Sequence, residues 1–206
     1  MIKAITLAVL GGVFTSLAGA NQFSVGEKSV FTGFNGGFEV VKKGLPVNWY
    51  LYGPKIIENG DVKIELDTED FVEGKKSLKL IAHKADPVGG NRSAGLFQVR
   101  SAKTGKPYKV SFWLKNQGCT VRIKIKNERG HSHRGLTEAE KKDRAAHPPI
   151  TKTLGEEETG TDTWRQFEYI YVVPETDGTI RFELNVIEAG TLWIDDVRIE
   201  EDKPVK

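Results

Sequence analysis

The chain has 206 residues, nearly balanced numbers of acidic and basic side chains and a formal net charge of +2. Such a mixed surface argues against nucleic acid as the partner, because nucleic-acid binding needs a concentrated basic face. Cys119 is the single cysteine, so no disulfide can form within one chain. Stability must therefore come from the apolar core, with a bound metal as an additional candidate.

The first twenty residues have the pattern of a cleavable signal peptide. Lys3 supplies a short positive region, residues 4–17 are apolar but too short to span a bilayer, and small residues follow at the cleavage point. The alternative is a buried N-terminal helix. We expect an exported chain, secreted or periplasmic, without a membrane span or a lipid-anchor cysteine. The predicted organisation is a signal peptide at 1–20, a lead-in at 21–34, one domain at 35–200 and a tail at 201–206.

The remainder reads as an all-β chain, because glycine is abundant, helical periodicity is scarce and short alternating runs recur between turns. This pattern is typical of a β-sandwich or jelly roll. The predicted strands are Glu39–Lys42, Asp61–Leu66, Lys76–His83, Ala94–Val99, Pro107–Asn116, Thr120–Lys126, Trp164–Val173, Thr179–Ile187 and Thr191–Glu200.

Alternation within three of these strands predicts which side chains meet the core. The inward set is Tyr108, Val110, Phe112, Leu114, Val121, Ile123, Ile125, Ile180, Phe182, Leu184 and Val186. The opposite positions are mostly charged or polar. Each strand should therefore pack one side on a core and show the other side to water.

Two adjacent acids, Asp195 and Asp196, interrupt the last predicted strand. Strict alternation would point one of them inward and would place Trp193, Asp195, Val197 and Ile199 on one face. A carboxylate aimed into a core costs several kcal/mol unless it is paired, protonated or bound to a metal. The partner of this acid is therefore the first question that the sequence raises.

Five short motifs occur in a characteristic order. They are N-G-G-F-E at 35–39, N-W at 48–49, E-G-K-K-S-L-K-L at 73–80, G-K-P-Y-K-V-S-F-W-L-K at 105–115 and L-W-I-D-D-V-R-I at 192–199. In this order the chain resembles the jelly-roll carbohydrate-binding modules of families 4, 9, 16 and 22, which have the galactose-binding-domain-like fold. The resemblance implies a two-sheet antiparallel β-sandwich that binds carbohydrate.

The resemblance also implies one structural Ca²⁺. Its ligands would be the carboxylates of Glu39 and Asp195 and the backbone carbonyls of Lys75 and Ser77, within the turn 74–77. This set agrees with the preference of Ca²⁺ for oxygen ligands. The alternative is that Glu39 and Asp195 pair with lysines or accept backbone N–H groups.

Two groups of side chains are candidates for ligand binding. Trp113 is an aromatic residue on an otherwise polar face, and aromatic faces stack on the C–H faces of sugar rings. Gln98, Arg122, Glu183 and Asn185 could supply hydrogen bonds beside it if their strands share a sheet. Tyr50 and Tyr52 form a second cluster, in which Trp49 is predicted to be core and one tyrosine to be exposed.

Residues 127–163 depart from the family pattern as a charged, partly helical insertion. Thr137 is a predicted N-cap, with Glu140 completing a capping box, and Pro148 ends the short helix. His131, His133 and His147 could bind Zn²⁺ or Cu²⁺, although loop histidines without a metal are the plainer interpretation. The insertion could cover the ligand face or form part of it.

No catalytic motif is recognisable, and Glu168 and Glu183 are a weak candidate pair for glycoside hydrolysis. The sequence therefore predicts an exported, calcium-stabilised, monomeric jelly roll that binds a poly- or oligosaccharide without cleaving it. One alternative is a protein-interaction or envelope-assembly module. The other is a polysaccharide lyase or hydrolase on the same scaffold.

Overall fold

The computed structural model describes residues 33–52, 54–127, 138–139, 142, 151–157, 162–175 and 178–202. The strands are β1 Val41–Lys42, β2 Leu45–Pro46, β3 Tyr50–Leu51, β4 Val62–Asp67, β5 Ser77–Ala82, β6 Gly95–Ser101, β7 Pro107–Gln117, β8 Val121–Lys126, β9 Thr151–Glu157, β10 Arg165–Val172, β11 Thr179–Val186 and β12 Gly190–Glu201. A short helix, α1 Pro54–Glu58, follows β3, and a 3₁₀ turn at Gly90–Arg92 precedes β6.

Two five-stranded antiparallel sheets form the sandwich, and β1 and β2 pair as a separate two-stranded sheet. Sheet I has the order β10-β7-β12-β5-β4, and sheet II has the order β3-β6-β11-β8-β9. Strands that neighbour each other within a sheet are mostly not consecutive in the chain, because the chain crosses between the sheets. This is a jelly-roll sandwich, and the predicted fold class is confirmed.

The core lies between the two inner faces and has the composition that alternation predicts. All of the predicted inward residues of β7, β8 and β11 are buried. Phe112 of sheet I packs edge-on against Phe182 of sheet II, with ring centroids 5.3 Å apart. Trp49 fills the end of the core, as predicted, and its indole N–H donates to the carbonyl of Asn35 at 2.9 Å. The large apolar side chains of both sheets therefore close a single core.

A β-bulge in β12 makes one prediction wrong. The pairing with β7 shifts between Asp195 and Arg198, and Asp196 adopts a left-handed φ of 48°. One extra residue reverses the alternation. Trp193 and Asp195 consequently lie on the outer face of sheet I, whereas Val197 and Ile199 point into the core.

The segment 127–163 holds a strand that the sequence did not predict. β9 pairs with β8 from Val121↔Glu157 to Lys126↔Thr151 and forms an edge of sheet II. Residues 138–139 and 142 are helical, within the predicted helix, but its other residues, Thr137 and Glu140 among them, lie outside the described ranges. His131, His133, His147 and the predicted signal peptide lie outside them as well. In the described ranges, no helix is long and apolar enough to cross a bilayer.

Candidate functional site

The outer face of sheet II carries a row of polar side chains along β11. Arg181, Glu183 and Asn185 point away from the core, yet their exposed fractions are only 8%, 5% and 2%. They are screened by side chains of the neighbouring strands β3, β6 and β8 on the same face. A row of buried polar groups is held in fixed positions, which is what a preformed binding surface requires.

Three aromatic rings flank this row on the β6 side. Tyr50 stacks on Phe97, with centroids 4.9 Å apart and planes inclined by 10°. The Tyr52 ring lies 5.0 Å from Phe97 at a tilt of 42°. The guanidinium of Arg181 lies 3.7 Å from the Phe97 centroid and donates to the hydroxyl of Tyr52. The half-buried Tyr50–Phe97 pair therefore presents aromatic surface beside a fixed cation.

Cationic side chains flank the row on the β8 side. The register of β8 with β11 places Arg122 opposite Asn185, Lys124 opposite Glu183 and Lys126 opposite Arg181. Glu183 accepts from Arg181 Nε at 3.1 Å and is paired with Lys126 Nζ at 3.3 Å. Burial alone would raise the pKa of Glu183, but Lys126 and Arg181 outweigh burial and hold this pKa below its usual value.

Burial and the neighbouring Glu183 raise the pKa of Tyr52 well above its usual value, so its phenol stays protonated. The same burial corrects the expectation that a tyrosine of this cluster is freely exposed: Tyr52 is 8% exposed and Tyr50 is half-buried. Tyr52 therefore acts from beneath the surface by fixing Arg181. Tyr50 is the tyrosine that a ligand can reach.

Asn185 ends the polar row with an unsatisfied donor. Its Nδ2 is buried and has no hydrogen-bond acceptor among the described residues. It packs on Gly95, where a Cβ would lie 2.6 Å from Nδ2 and 2.2 Å from the carbonyl oxygen of Leu184. Only glycine permits this close approach. A buried amide without an acceptor is costly, so a ligand oxygen would relieve it.

The structure brings together five of the seven predicted ligand-binding residues. These are Tyr50, Tyr52, Arg122, Glu183 and Asn185. Two predictions of a shared surface are wrong. Trp113 lies on β7 in sheet I, and Gln98 pairs with Phe182 and so points into the core, where its Oε1 has no donor among the described residues. The prediction for Trp113 failed because β7 belongs to sheet I, whereas the adjacent strands β6 and β8 belong to sheet II.

Phe97 and Arg181 are functional candidates that sequence reasoning missed. Both stand in strands that were predicted, and Arg181 was assigned to the outward side of β11. The alternation of Phe97 with the polar Gln98 favoured the wrong phase for β6. The signal that could have corrected it is Gly95, which shares the phase of Phe97 and marks a close strand approach.

Trp113 lines a separate groove of about 410 Å³ on the outer face of sheet I. Lys109, Ser111, Gln166, Glu168 and Arg198 line it as well. The cations there are paired: Lys109 with Glu168 at 3.2 Å, and Arg198 with Asp196 at 2.6 Å. Trp113 is half-buried, so part of its ring can still be reached.

The predicted calcium ligands Glu39 and Asp195 meet the turn 72–77 from two sides. Asp195 is fully buried, and its Oδ2 accepts the backbone N–H groups of Val72 at 2.8 Å and Glu73 at 3.0 Å. Glu39 Oε1 accepts from the N–H groups of Lys75 at 2.7 Å and Lys76 at 3.1 Å. These bonds are the alternative that the sequence left open, in which the carboxylates are satisfied by backbone donors.

Glycine is required where these segments meet. A Cβ on Gly74, whose φ is +76°, would lie 2.3 Å from Glu39 Oε1. On the other side, a Cβ on Gly37 would lie 4.0 Å from Asp195 Oδ1 and 3.9 Å from Glu39 Cγ, so Gly37 lies beside both side chains. Burial raises the pKa of Asp195, against the lowering effect of its three N–H bonds, the nearest being that of Asp196 at 2.7 Å.

This donor set fits a hard cation in part. Both groups are oxygen donors, and each carboxylate keeps lone pairs beyond its N–H bonds, which would orient it as outer-shell contacts orient metal ligands. In the described ranges, no three His, Cys, Asp or Glu side chains cluster closely enough to hold a metal. A cation here would therefore need backbone carbonyls, for which Lys75 and Ser77 are the predicted sources. The Ser77 hydroxyl donates to the carbonyl of Asp70 at 2.6 Å.

No protein-family model and no curated protein matches the chain. Solved structures do match. One is an N-terminal piece of Clostridium thermocellum xylanase 10B, with family 22 carbohydrate-binding and GH10 modules complexed with xylohexaose: identity is 16%, the TM-score is 0.53, and 75% of this chain covers 26% of that one. Another is the C-terminal family 22 module of the same xylanase, at 13% identity and TM-score 0.53, with 83% of this chain covering 98% of that one.

A third is a family 61 module in complex with β-1,4-galactotriose, at 21% identity and TM-score 0.51, with 82% of this chain covering 97% of that one. The chain thus spans about the length of a single module and only about a quarter of the two-module xylanase structure. At these identities the likeness shows the fold. The predicted resemblance to jelly-roll carbohydrate-binding modules is confirmed at that level.

Proposed function

We propose that the chain is an exported, non-catalytic module that binds a poly- or oligosaccharide on the outer face of sheet II. The observation that carries this proposal is the stacked Tyr50–Phe97 pair beside the buried row Arg181, Glu183 and Asn185. Stacked aromatic rings offer a platform to the C–H face of a sugar. Fixed polar groups at its edge offer donors and acceptors to hydroxyls.

Similar folds support the proposal, since one matched module is complexed with β-1,4-galactotriose and another structure with xylohexaose. Binding without cleavage is favoured because Glu168 and Glu183 lie in different sheets, with Glu183 on the proposed face and Glu168 on the opposite side of the sandwich. They cannot flank one glycosidic bond. The protonated phenol of Tyr52 is also a poor general base.

We further propose that Glu39, Asp195 and the carbonyls of Lys75 and Ser77 hold one structural Ca²⁺. The cation would add charge neutralisation for the buried carboxylate of Asp195 and would cross-link the turn 72–77 to β12. This site is on sheet I. Its role is therefore to stabilise the fold and not to contact the sugar.

A protein partner is a second candidate ligand, because Ile170 and Val172 stand exposed on the outer side of the edge strand β10. Their exposed fractions are 45% and 59%. Exposed apolar side chains on an edge strand are typical of interaction surfaces. This surface is on sheet I, so it can be tested separately from the sugar face.

The test is affinity electrophoresis through gels that contain xylan, β-glucan, galactan, pectin or alginate, with wild type, Tyr50→Ala and Trp113→Ala run side by side. We expect one glycan to retard the wild type and Tyr50→Ala to weaken its binding about tenfold, since a stacked ring contributes about 1.5 kcal/mol. Trp113→Ala is the matched control and should bind as the wild type does. Loss of binding in Trp113→Ala alone would move the site to the groove of sheet I. No retardation of folded protein in any gel would favour the protein partner.

A further inference from the structure

Three cations stand on alternate residues of one strand of the proposed sugar face. Arg122, Lys124 and Lys126 share the outer side of β8, with the apolar residues between them in the core. Arg181 of the neighbouring β11 adds a fourth cation to the same face. A strand side with this composition produces a continuous positive potential.

Among the described side chains on the strands of this face, the cations outnumber the carboxylates. Glu183 is the one carboxylate among the described side chains on the strands of this face, and it already interacts with both Arg181 and Lys126. Glu183 and Arg181 are buried, at 5% and 8% exposure, whereas Lys124 and Lys126 are half-buried and can be reached from solvent. On β9, Glu156 is opposite Arg122 in the backbone register.

Lys124 is central to this imbalance. It is half-buried, its register partners are Glu183 on β11 and Thr153 on β9, and the described residues include no ion-pair partner for it. The outer side of sheet I is different, because its lysines are paired: Lys79 lies 3.4 Å from Asp67, and Lys63 pairs with Glu65. The excess positive charge is thus a property of the proposed sugar face and not of the surface in general.

We propose that the ligand of this face is an anionic polysaccharide whose carboxylate or sulfate groups contact Lys124 while its rings lie along the Tyr50–Phe97 platform. This inference rests on the proposed function and specifies its ligand class. Complementary charge favours such a ligand because an ammonium or guanidinium group bonds an anionic oxygen more strongly than a neutral hydroxyl. Neutral glycans of the same backbone would stack on the aromatic platform but would offer Lys124 no anionic partner.

The test uses ligand pairs that differ in charge alone. Polygalacturonate is compared with its fully methyl-esterified form, and dextran sulfate with dextran. Lys124→Gln is the test variant. Lys63→Gln is the control, because it makes the same change in net charge on the opposite sheet. Thermal melts establish that each variant is folded.

We expect a charged glycan to bind and its neutral counterpart to bind at least tenfold more weakly, with Lys124→Gln raising the Kd about tenfold and Lys63→Gln leaving it unchanged. Affinity electrophoresis in each glycan identifies the anionic group: retardation by polygalacturonate indicates carboxylate, and retardation by dextran sulfate indicates sulfate. Equal binding of charged and neutral forms would overturn the anionic ligand and leave the proposed function standing. If Lys124→Gln and Lys63→Gln weaken binding of the charged glycan equally, only the net charge of the protein matters, and the inference is overturned. No binding to any glycan, charged or neutral, would overturn both.

Discussion

The two outer faces of the sandwich carry similar residue types but use them differently. On sheet I, the Trp193 ring lies between the ammonium groups of Lys79 and Lys115, each 4.9 Å from its centroid, and its N–H donates to Asp67 at 2.8 Å. On sheet II, Arg181 lies beside the Tyr50–Phe97 pair, and both rings of the pair are half-buried. On sheet I, the ring and the N–H of Trp193 both have partners within the protein. On sheet II, part of the aromatic surface and the ammonium group of Lys124 can be reached by a ligand. The self-contained contacts of Trp193 and the proposed sugar face therefore lie on opposite sides of one core.

The largest expected effect tests whether the outer face of sheet I is structural. Asp195→Asn removes an acceptor from the N–H groups of Val72 and Glu73 and faces them with an amide donor. We expect the free energy of unfolding to fall by about 3 kcal/mol, because unpaired buried N–H groups are costly. Urea unfolding followed by circular dichroism measures it.

The control for this variant is Glu65→Gln, which breaks a surface ion pair of the same sheet and should cost under about 1 kcal/mol. If both substitutions lower the free energy of unfolding equally, the contacts of Asp195 are not a special source of stability. The outer face of sheet I would then not be the structural face.

Calcium removal sharpens the comparison further. Wild type should unfold at a higher urea concentration with excess Ca²⁺ than with a chelator. Its free energy of unfolding should be larger by about 2.7 kcal/mol when free Ca²⁺ is at a hundredfold excess over Kd. In Glu39→Gln this difference should disappear. The glycan affinity of still-folded protein should not change, because the proposed metal lies on sheet I. Identical unfolding with and without Ca²⁺ in wild type would refute the metal.

The smallest effect concerns Glu183 on sheet II. Its pKa is held below the usual 4.5, so the folded state binds fewer protons than the unfolded state. The stability that Glu183 contributes is thus present above the unfolded pKa and is lost as the pH falls through the folded one. Wild type should lose about 1 kcal/mol more than Glu183→Gln between about pH 5 and pH 3. Parallel stability curves for the two proteins would contradict the role of Lys126 and Arg181.

Much of the fold follows from local patterns. Nine predicted strands are present with ends shifted by a few residues, and the core positions of β7, β8 and β11 follow from alternation because their opposite sides are polar. The strands β2, β3 and β9 were not predicted. The segment of β9, T-K-T-L-G-E-E at 151–157, shows no apolar side, and the strand forms by pairing with β8. A strand that forms by pairing with a distant segment cannot be predicted from its own sequence alone.

The site was predictable to the extent that it depends on strand phase, and not where it depends on strand order. Arg122, Glu183 and Asn185 lie on clean alternating strands and were assigned to the correct side. Trp113 was also outward as predicted, but its strand belongs to the other sheet. The prediction for Gln98 was wrong because both sides of β6 contain apolar residues. Only the register with the buried Phe182 shows that Gln98 points into the core.

The position of β12 has a consequence for the order in which the protein folds. This strand is the last of the described strands, yet it lies in the middle of sheet I between β7 and β5. Synthesis from the N-terminus therefore delivers β4, β5, β7 and β10 before the strand that joins them. The contacts that close the sheet include the bond from Trp193 to Asp67, which are 126 residues apart, so the entropy of a long loop must be lost before they form. Until β12 has emerged, sheet I is two separate pairs of strands, and the nascent chain exposes the edges that the finished protein conceals.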